Sequence, residues 1–236
     1  MKILKLFAVA WIAVALIPIF GCIPQEIGEA GQKTESVVRP KTLAILHFDN
    51  YSVTDQKRFN ALEKGLSAML ITELKHSGAK PRLIERERIR DLMAEIRLSQ
   101  SGTADESALV RGGRILGAQA IAFGSFMVLG NRVRIDTRIV YVETGEVIMA
   151  EFVTGKSDAF MELVTMLARK IADSMNISFH PGPTAPESDI KAAIFFSKGL
   201  EAMDRGNMTE ASRLFDKAIS IDPVYERQVR DVKSSD

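Results

Sequence analysis

Cys22 is the only cysteine among 236 residues. A lone thiol can be a nucleophile, a metal ligand, a buried core residue or an attachment point. It cannot form a disulfide within its own chain. Metal ligation needs companions at short spacing. The histidines, His47, His76 and His180, lie far apart, so no metal site is expected. His47, Asp49 and Ser52 have the residue types of a base, an orienting acid and a nucleophile. They stand at the end of an apolar run, where turns also select aspartate and asparagine. Turn chemistry is the stronger reading, and neither catalytic residues nor an enzymatic activity is expected. Arg111-Gly112-Gly113-Arg114 has glycines next to cations but lacks the G-x-x-x-x-G-K-S/T arrangement of a phosphate loop. It falls inside a helical pattern, where glycine permits close packing, and no cofactor or small-molecule substrate is expected. Arg132, Arg134 and Arg138 form a basic stripe that Asp136 interrupts, with no interleaved aromatics. That stripe reads as a solvated face or a contact with an acidic partner. With a net charge of only +1, nucleic-acid binding is not expected.

The surroundings of Cys22 narrow its role. Lys2 and Lys5 form a basic head, and Leu6–Phe20 is apolar and uncharged. A membrane-spanning helix needs about 20 such residues, so this run is short for one. A basic head and a short apolar centre fit a secretory signal peptide. Ile19-Phe20-Gly21-Cys22 then resembles the bacterial lipobox. That resemblance implies cleavage after Gly21 and lipidation of the Cys22 thiol, although Phe20 is larger than the usual residue there. Removing Met1–Gly21 takes Lys2 and Lys5 with it and moves the net charge from +1 to −1. More than one acyl chain is needed for stable anchoring. Ile23 rather than aspartate follows the cysteine. By analogy with diderm bacteria this implies the outer membrane, with the chain facing the periplasm.

Residues 22–41 comprise Cys22 and a stretch rich in glycine, proline and polar residues, without period. They read as a flexible tether with a span of about 25 Å. From Thr42 the pattern becomes that of a folded domain. TLAILHFDN (42–50) has the signature of a buried strand. Phe59, Leu62, Leu66, Met69, Leu70 and Leu74 mark one apolar face of a helix over about 55–77. A brief strand is expected at 81–85. A second helix follows over 86–99, and a third ends at Leu116 with Gly117 beyond it. Three strands come next, at 119–129, 132–142 and 146–154, joined at Gly130-Asn131 and Thr144-Gly145. In the second of these, Val133, Ile135, Ile139 and Tyr141 should face inward. A helix over 158–175 closes the domain. The order implies an α/β (α+β) fold, a mixed β-sheet with helices packed against it. Three of the eight prolines fall in 180–186, within a linker over 179–189. A helical hairpin follows in 190–236, its helices meeting at Gly206-Asn207.

The hairpin resembles a tetratricopeptide repeat. Phe195, Gly199, Gly206, Ala211, Phe215, Ala218 and Pro223 stand where that motif has its large, small and helix-stopping residues. Lys198 and Ala202 depart from it. One repeat cannot bury its own face, so the hairpin and the following 226–236 should dock on the main domain or on another chain. The domain at 42–178 resembles the CsgG family of curli production assembly/transport lipoproteins. The resemblance rests on LAILHFDN, RLIERERIRDLMAEIRLSQSG, GGRILGAQAIAFGS and VYVETGEVIMAE. Secretion-competent members carry two inserted hairpins that build a transmembrane barrel. Here the corresponding joins, Gly130-Asn131 and Gly155-Lys156-Ser157, are too short for strands of about 9–11 residues.

The resemblance implies a lipid-anchored periplasmic protein that acts through contacts with envelope proteins in assembly or secretion, without itself forming a pore. Alternatives it allows are a subunit of a curli-type secretion ring, hence a homo-oligomer, and an LpoB-like activator of a cell-wall synthase. The partner of the Cys22 lipid would be the membrane. Cys22→Ala is expected to abolish incorporation of labelled palmitate and to leave the chain uncleaved or mislocalised. Metabolic labelling with fractionation measures both, and persistent labelling would remove the anchor.

Overall fold

The computed structural model describes residues 40–76, 82–84, 89, 106–182 and 189–235. These fall within one compact unit, Val38–Asp236. The signal segment, Cys22, the tether and, apart from buried Ile89, the helix expected over 86–99 lie outside the described residues.

The strands are β1 (Thr42–Asn50), β2 (Arg82–Leu83), β3 (Ala120–Leu129), β4 (Arg132–Tyr141) and β5 (Val147–Lys156). They form one mixed sheet in the order β2-β1-β3-β4-β5. β1 runs parallel to β2 and β3, and the other pairs are antiparallel. The helices are α1 (Gln56–Phe59), α2 (Leu62–His76), α3 (Glu106–Leu116), α4 (Phe160–Ser174), α5 (Ile190–Asp204), α6 (Met208–Ile221) and α7 (Tyr225–Ser235). The expected α/β class, a mixed sheet with helices packed on it, is what the chain adopts. None of the described helices is long and apolar enough to cross a membrane.

Two local expectations differ. The helix expected over 55–77 is split at Asn60. Asn50 explains the break, because its side chain donates to the Gln56 carbonyl and to Asn60 Oδ1, both at 2.9 Å. Gln56 donates back to the Asn50 carbonyl. In β4, Val133, Ile135 and Ile139 are buried, but Tyr141 is only half-buried and Val140 is fully buried instead. A bulge against β5 between Ile139 and Val140 breaks the alternation there.

The two faces of the sheet are covered unequally. Gly155 of β5 lies where a Cβ would come within 2.7 Å of Leu163, which places α4 on one face. α2 lies beside α4, joined by a hydrogen bond of 3.4 Å from Thr165 to Glu73. On the opposite face, a Cβ at Gly113 of α3 would meet Ile121 and Val142 at 2.7 Å. The Arg-Gly-Gly-Arg stretch is therefore a close helix–sheet contact, and Arg114 donates to the carbonyls of Val142 and Glu143.

α2 is buried on both sides, although the sequence shows one apolar face. Ser67, Thr72 and Glu73 are as buried as Leu66 and Leu70. The second side is taken by the C-terminal helices, whose apolar residues join the sheet's in one continuous core. At the crossing, a Cβ on Gly65 would stand 1.7 Å from Ser197 Oγ of α5. Arg227 and Gln228 of α7 both bond the buried Glu73 carboxylate, Gln228 at 3.0 Å. At the ends of the contact Lys64 pairs with Asp204 at 3.0 Å, and His76 with Asp231 at 2.8 Å.

Gly65→Ala should cost about 1–3 kcal/mol by overpacking, with partial recovery when combined with Ser197→Gly. Arg227→Ala should cost about 3 kcal/mol or more, because it removes the charge partner of a buried carboxylate. Urea denaturation of each variant measures both.

Candidate functional site: an uncovered sheet face

Among the described residues, α3 covers only part of its face of the sheet. The register sets Phe123 opposite Arg138, Met127 opposite Arg134, Asp136 opposite Phe152 and Arg132 opposite Lys156. These residues share the side that carries Ile121 and Val142, further along the strands and beyond α3. Asp49 joins them through its pairing with Ser125. Tyr51 continues that line, its N–H bonded to the Phe126 carbonyl at 2.8 Å. Together they shape a shallow groove of about 490 Å³ lined by Asp49, Tyr51, Phe123, Asp136, Arg138 and Phe152.

Large apolar side chains stand open around it. Tyr51 is 60% exposed, Leu129 55% and Phe152 50%. The Arg134 guanidinium lies 4.1 Å from the Phe152 ring centroid and grips Asp136 with bonds of 2.8 and 3.0 Å from Nε. Those hydrogen bonds raise the Arg134 pKa above its ordinary value. Arg132 and Lys156, both exposed, face each other directly, an arrangement of like charges that costs stability.

The basic stripe of Arg132, Arg134 and Arg138 is thus outward-facing and lined by aromatics. Phe152, Phe123 and Tyr51 come from three other segments of chain, and no spacing within β4 could reveal them. The signal was the register, which the tight Gly130-Asn131 turn sets for β3 and β4. Among the other candidates, Ser52 is buried and its Oγ accepts from the Val128 N–H at 3.0 Å. Its own N–H donates to Asn50 Oδ1. It braces the end of β1 against β3. Among the described residues no group of His, Cys, Asp and Glu could hold a metal ion.

The hairpin residues are brought together. Ala211, Phe215 and Ala218 are buried, and a Cβ on Gly199 would meet the Phe215 ring at 2.5 Å. Gly206 has the left-handed φ of 75° between the helices. Pro223 is exposed in the turn between α6 and α7, beside the buried Asp222 that accepts from the Val224 N–H. Phe195 is only half-buried, with Lys217 4.3 Å from its ring centroid. Its neighbour Phe196 is the buried aromatic, in ring contact with Phe215 and Tyr225. The sequence had assigned no helix to 226–236. Its signal was the spacing of Tyr225, Gln228, Val229 and Val232, all buried.

Comparison with known families bears on the first part of the domain. Residues 32–134 match the family described as curli production assembly/transport component CsgG. This stretch is CsgG-like. The match runs through β1, α1, α2, β2, α3 and β3 and stops inside β4, short of Phe152, β5 and the C-terminal helices. No curated protein sequence matches significantly. Among solved structures, the chain is similar to the LpoB C-terminal domain from Salmonella enterica, at 20% identity and TM-score 0.41. That match covers 52% of this chain and 87% of that one. Lipoprotein GNA1162 from Neisseria meningitidis matches at 15% identity and TM-score 0.41, over 57% and 99%. The PelC dodecamer from Paraburkholderia phytofirmans matches at 15% and 0.36, over 58% and 88%.

An exposed ring contributes little to folding. Phe152→Ala should therefore cost no more than about 1 kcal/mol, against about 3–5 kcal/mol for Phe215→Ala. Thermal and urea unfolding of the two variants measures the contrast.

Proposed function

We propose that the chain is a lipid-anchored accessory protein of the bacterial envelope that works by holding other proteins, at the outer membrane and facing the periplasm. The observation that carries this reading is the CsgG match at 32–134, which begins ten residues after Cys22 of the lipobox-like Ile19-Phe20-Gly21-Cys22. The uncovered groove supports it, since exposed aromatic and arginine side chains are the residue types that dominate protein contacts. Ser52's use as a backbone brace favours binding over catalysis. The two-residue turn between β3 and β4 favours an accessory role over a pore.

The helical hairpin fits this role as a tetratricopeptide-type unit that braces the domain. Its inner aromatics meet Tyr225, and its first helix is pressed on α2 at Gly65. Those surfaces are occupied by the chain itself, which leaves the sheet face as the place to meet a partner.

Crosslinking in intact envelopes followed by affinity purification should recover a defined protein partner. Recovery of none under several growth conditions would overturn the reading. Single-channel recording of the purified chain should show no conductance, and a steady conductance would replace the accessory role with a pore.

A further inference from the structure

The uncovered face runs into an open sheet edge. β5 is the outermost strand on its side and is ten residues long. Among the described residues no strand pairs with its outer rim. At its far end the Ser157 N–H bonds the Asn131 carbonyl at 2.8 Å. The alternation of an antiparallel ladder then turns the odd-numbered residues from Val153 to Ser157 toward β4. The N–H and C=O groups of Phe152 and Thr154 and the N–H of Lys156 point outward, while the Lys156 carbonyl accepts from the Ala159 N–H at 3.2 Å. Proteins ordinarily blunt such edges with prolines, charges or brevity. The edge at β2 is blunted by brevity, with two residues. β5 has no proline and places Phe152, 50% exposed, at its middle.

Charge says what the edge can accept. The face beside it holds Arg132, Arg134, Arg138 and Lys156 against Asp49 and Asp136, and Glu151 of β5 is tied to Lys170 at 2.8 Å. The facing pair Arg132 and Lys156 is a cost that an anionic neighbour would relieve. A second copy of this chain, paired through the same strand, would bring a second set of those cations up to the first. An acidic strand brings the opposite sign.

We propose that β5 takes a sixth strand, an extended acidic segment of a partner protein. Its backbone continues the sheet along Phe152–Lys156, its carboxylates lie beside the Arg132–Lys156 pair and Arg134, and an apolar side chain packs on Phe152. Main-chain bonds would supply affinity and the side chains specificity. The proposal rests on the reading that the chain works through protein contacts. It places the contact on a strand outside the CsgG-like stretch.

The test uses the full chain in detergent and a short labelled synthetic peptide that alternates glutamate with valine and threonine. A twin carries lysine for each glutamate. In fluorescence anisotropy the acidic peptide should bind at least about tenfold tighter than the twin. Thr154→Pro removes one outward N–H, and the double change Arg132→Glu with Lys156→Glu reverses the facing cations. Each should weaken binding by about tenfold with an unchanged circular dichroism spectrum. Equal binding of the two peptides, no binding of either, or binding that both variants leave intact would overturn the proposal. So would preference for vesicles of phosphatidylglycerol over the peptide, or self-association that Thr154→Pro abolishes. Envelope crosslinking separates this from the broader reading. A partner recovered equally by the wild type and by both variants overturns the edge assignment and leaves the accessory role. Failure of the wild type to recover any partner overturns the role itself.

Discussion

Glu73 is 2% exposed, a carboxylate set between α2, α4 and α7. Left alone, a desolvated ion of this kind would cost several kcal/mol. Arg227, Gln228 and Thr165 offset that cost from two other helices. The consequence is coupling along the whole folded chain. α2 belongs to the first third of the domain and α7 to its last residues, yet the polar group of one is satisfied only when the other is docked. Gly65 sets the distance of approach, since Ser197 occupies the space a side chain would need. Without that approach Phe196, Phe215 and Tyr225 would not close over α2, and its second side would lie open.

This packing decides which surfaces are left for other molecules. One face of the sheet is spent on α2 and α4, and behind them on the hairpin. Among the described residues, the other is covered by α3, where Gly113 reaches Ile121 and Val142. What remains is a patch with both apolar and cationic character, bounded by the free side of β5. A domain that needed this patch for its own stability would bury Phe152 and pair Arg132 with an acid. It does neither.

Much of the architecture was legible in the sequence because it rests on local periodicity. The strand at 42–50 and the hairpin turn at Gly130-Asn131 follow from alternation and turn residues. Gly113 reads as a packing glycine from its place in a helical pattern. The split at Asn60 could not be read, since it depends on Asn50, ten residues away. Nor could the burial of the second side of α2, since Ser67, Thr72 and Glu73 look like a solvated side until the hairpin is folded over them. The candidate site was half visible. The arginines of β4 stand on alternate residues and announce an outward face. Their aromatic companions are neighbours only across strands, which short-range patterns do not encode. Phe195 and Phe196 show the same limit: adjacent aromatics are equivalent in sequence until the tertiary contact selects one.

The direction of β1 has a geometric consequence. The chain enters the sheet at Thr42, and the exposed side chains Tyr51 and Val53 follow the strand's other end. Eight residue steps of an extended strand measure about 26 Å. The strand is therefore a rigid spacer in series with whatever precedes it. A flexible leash lets a domain wander, whereas a strand carries its far end a fixed distance from the point of entry. For a protein held by its N-terminus, Tyr51 at the groove's margin would stand about that far from the point where the chain enters the sheet.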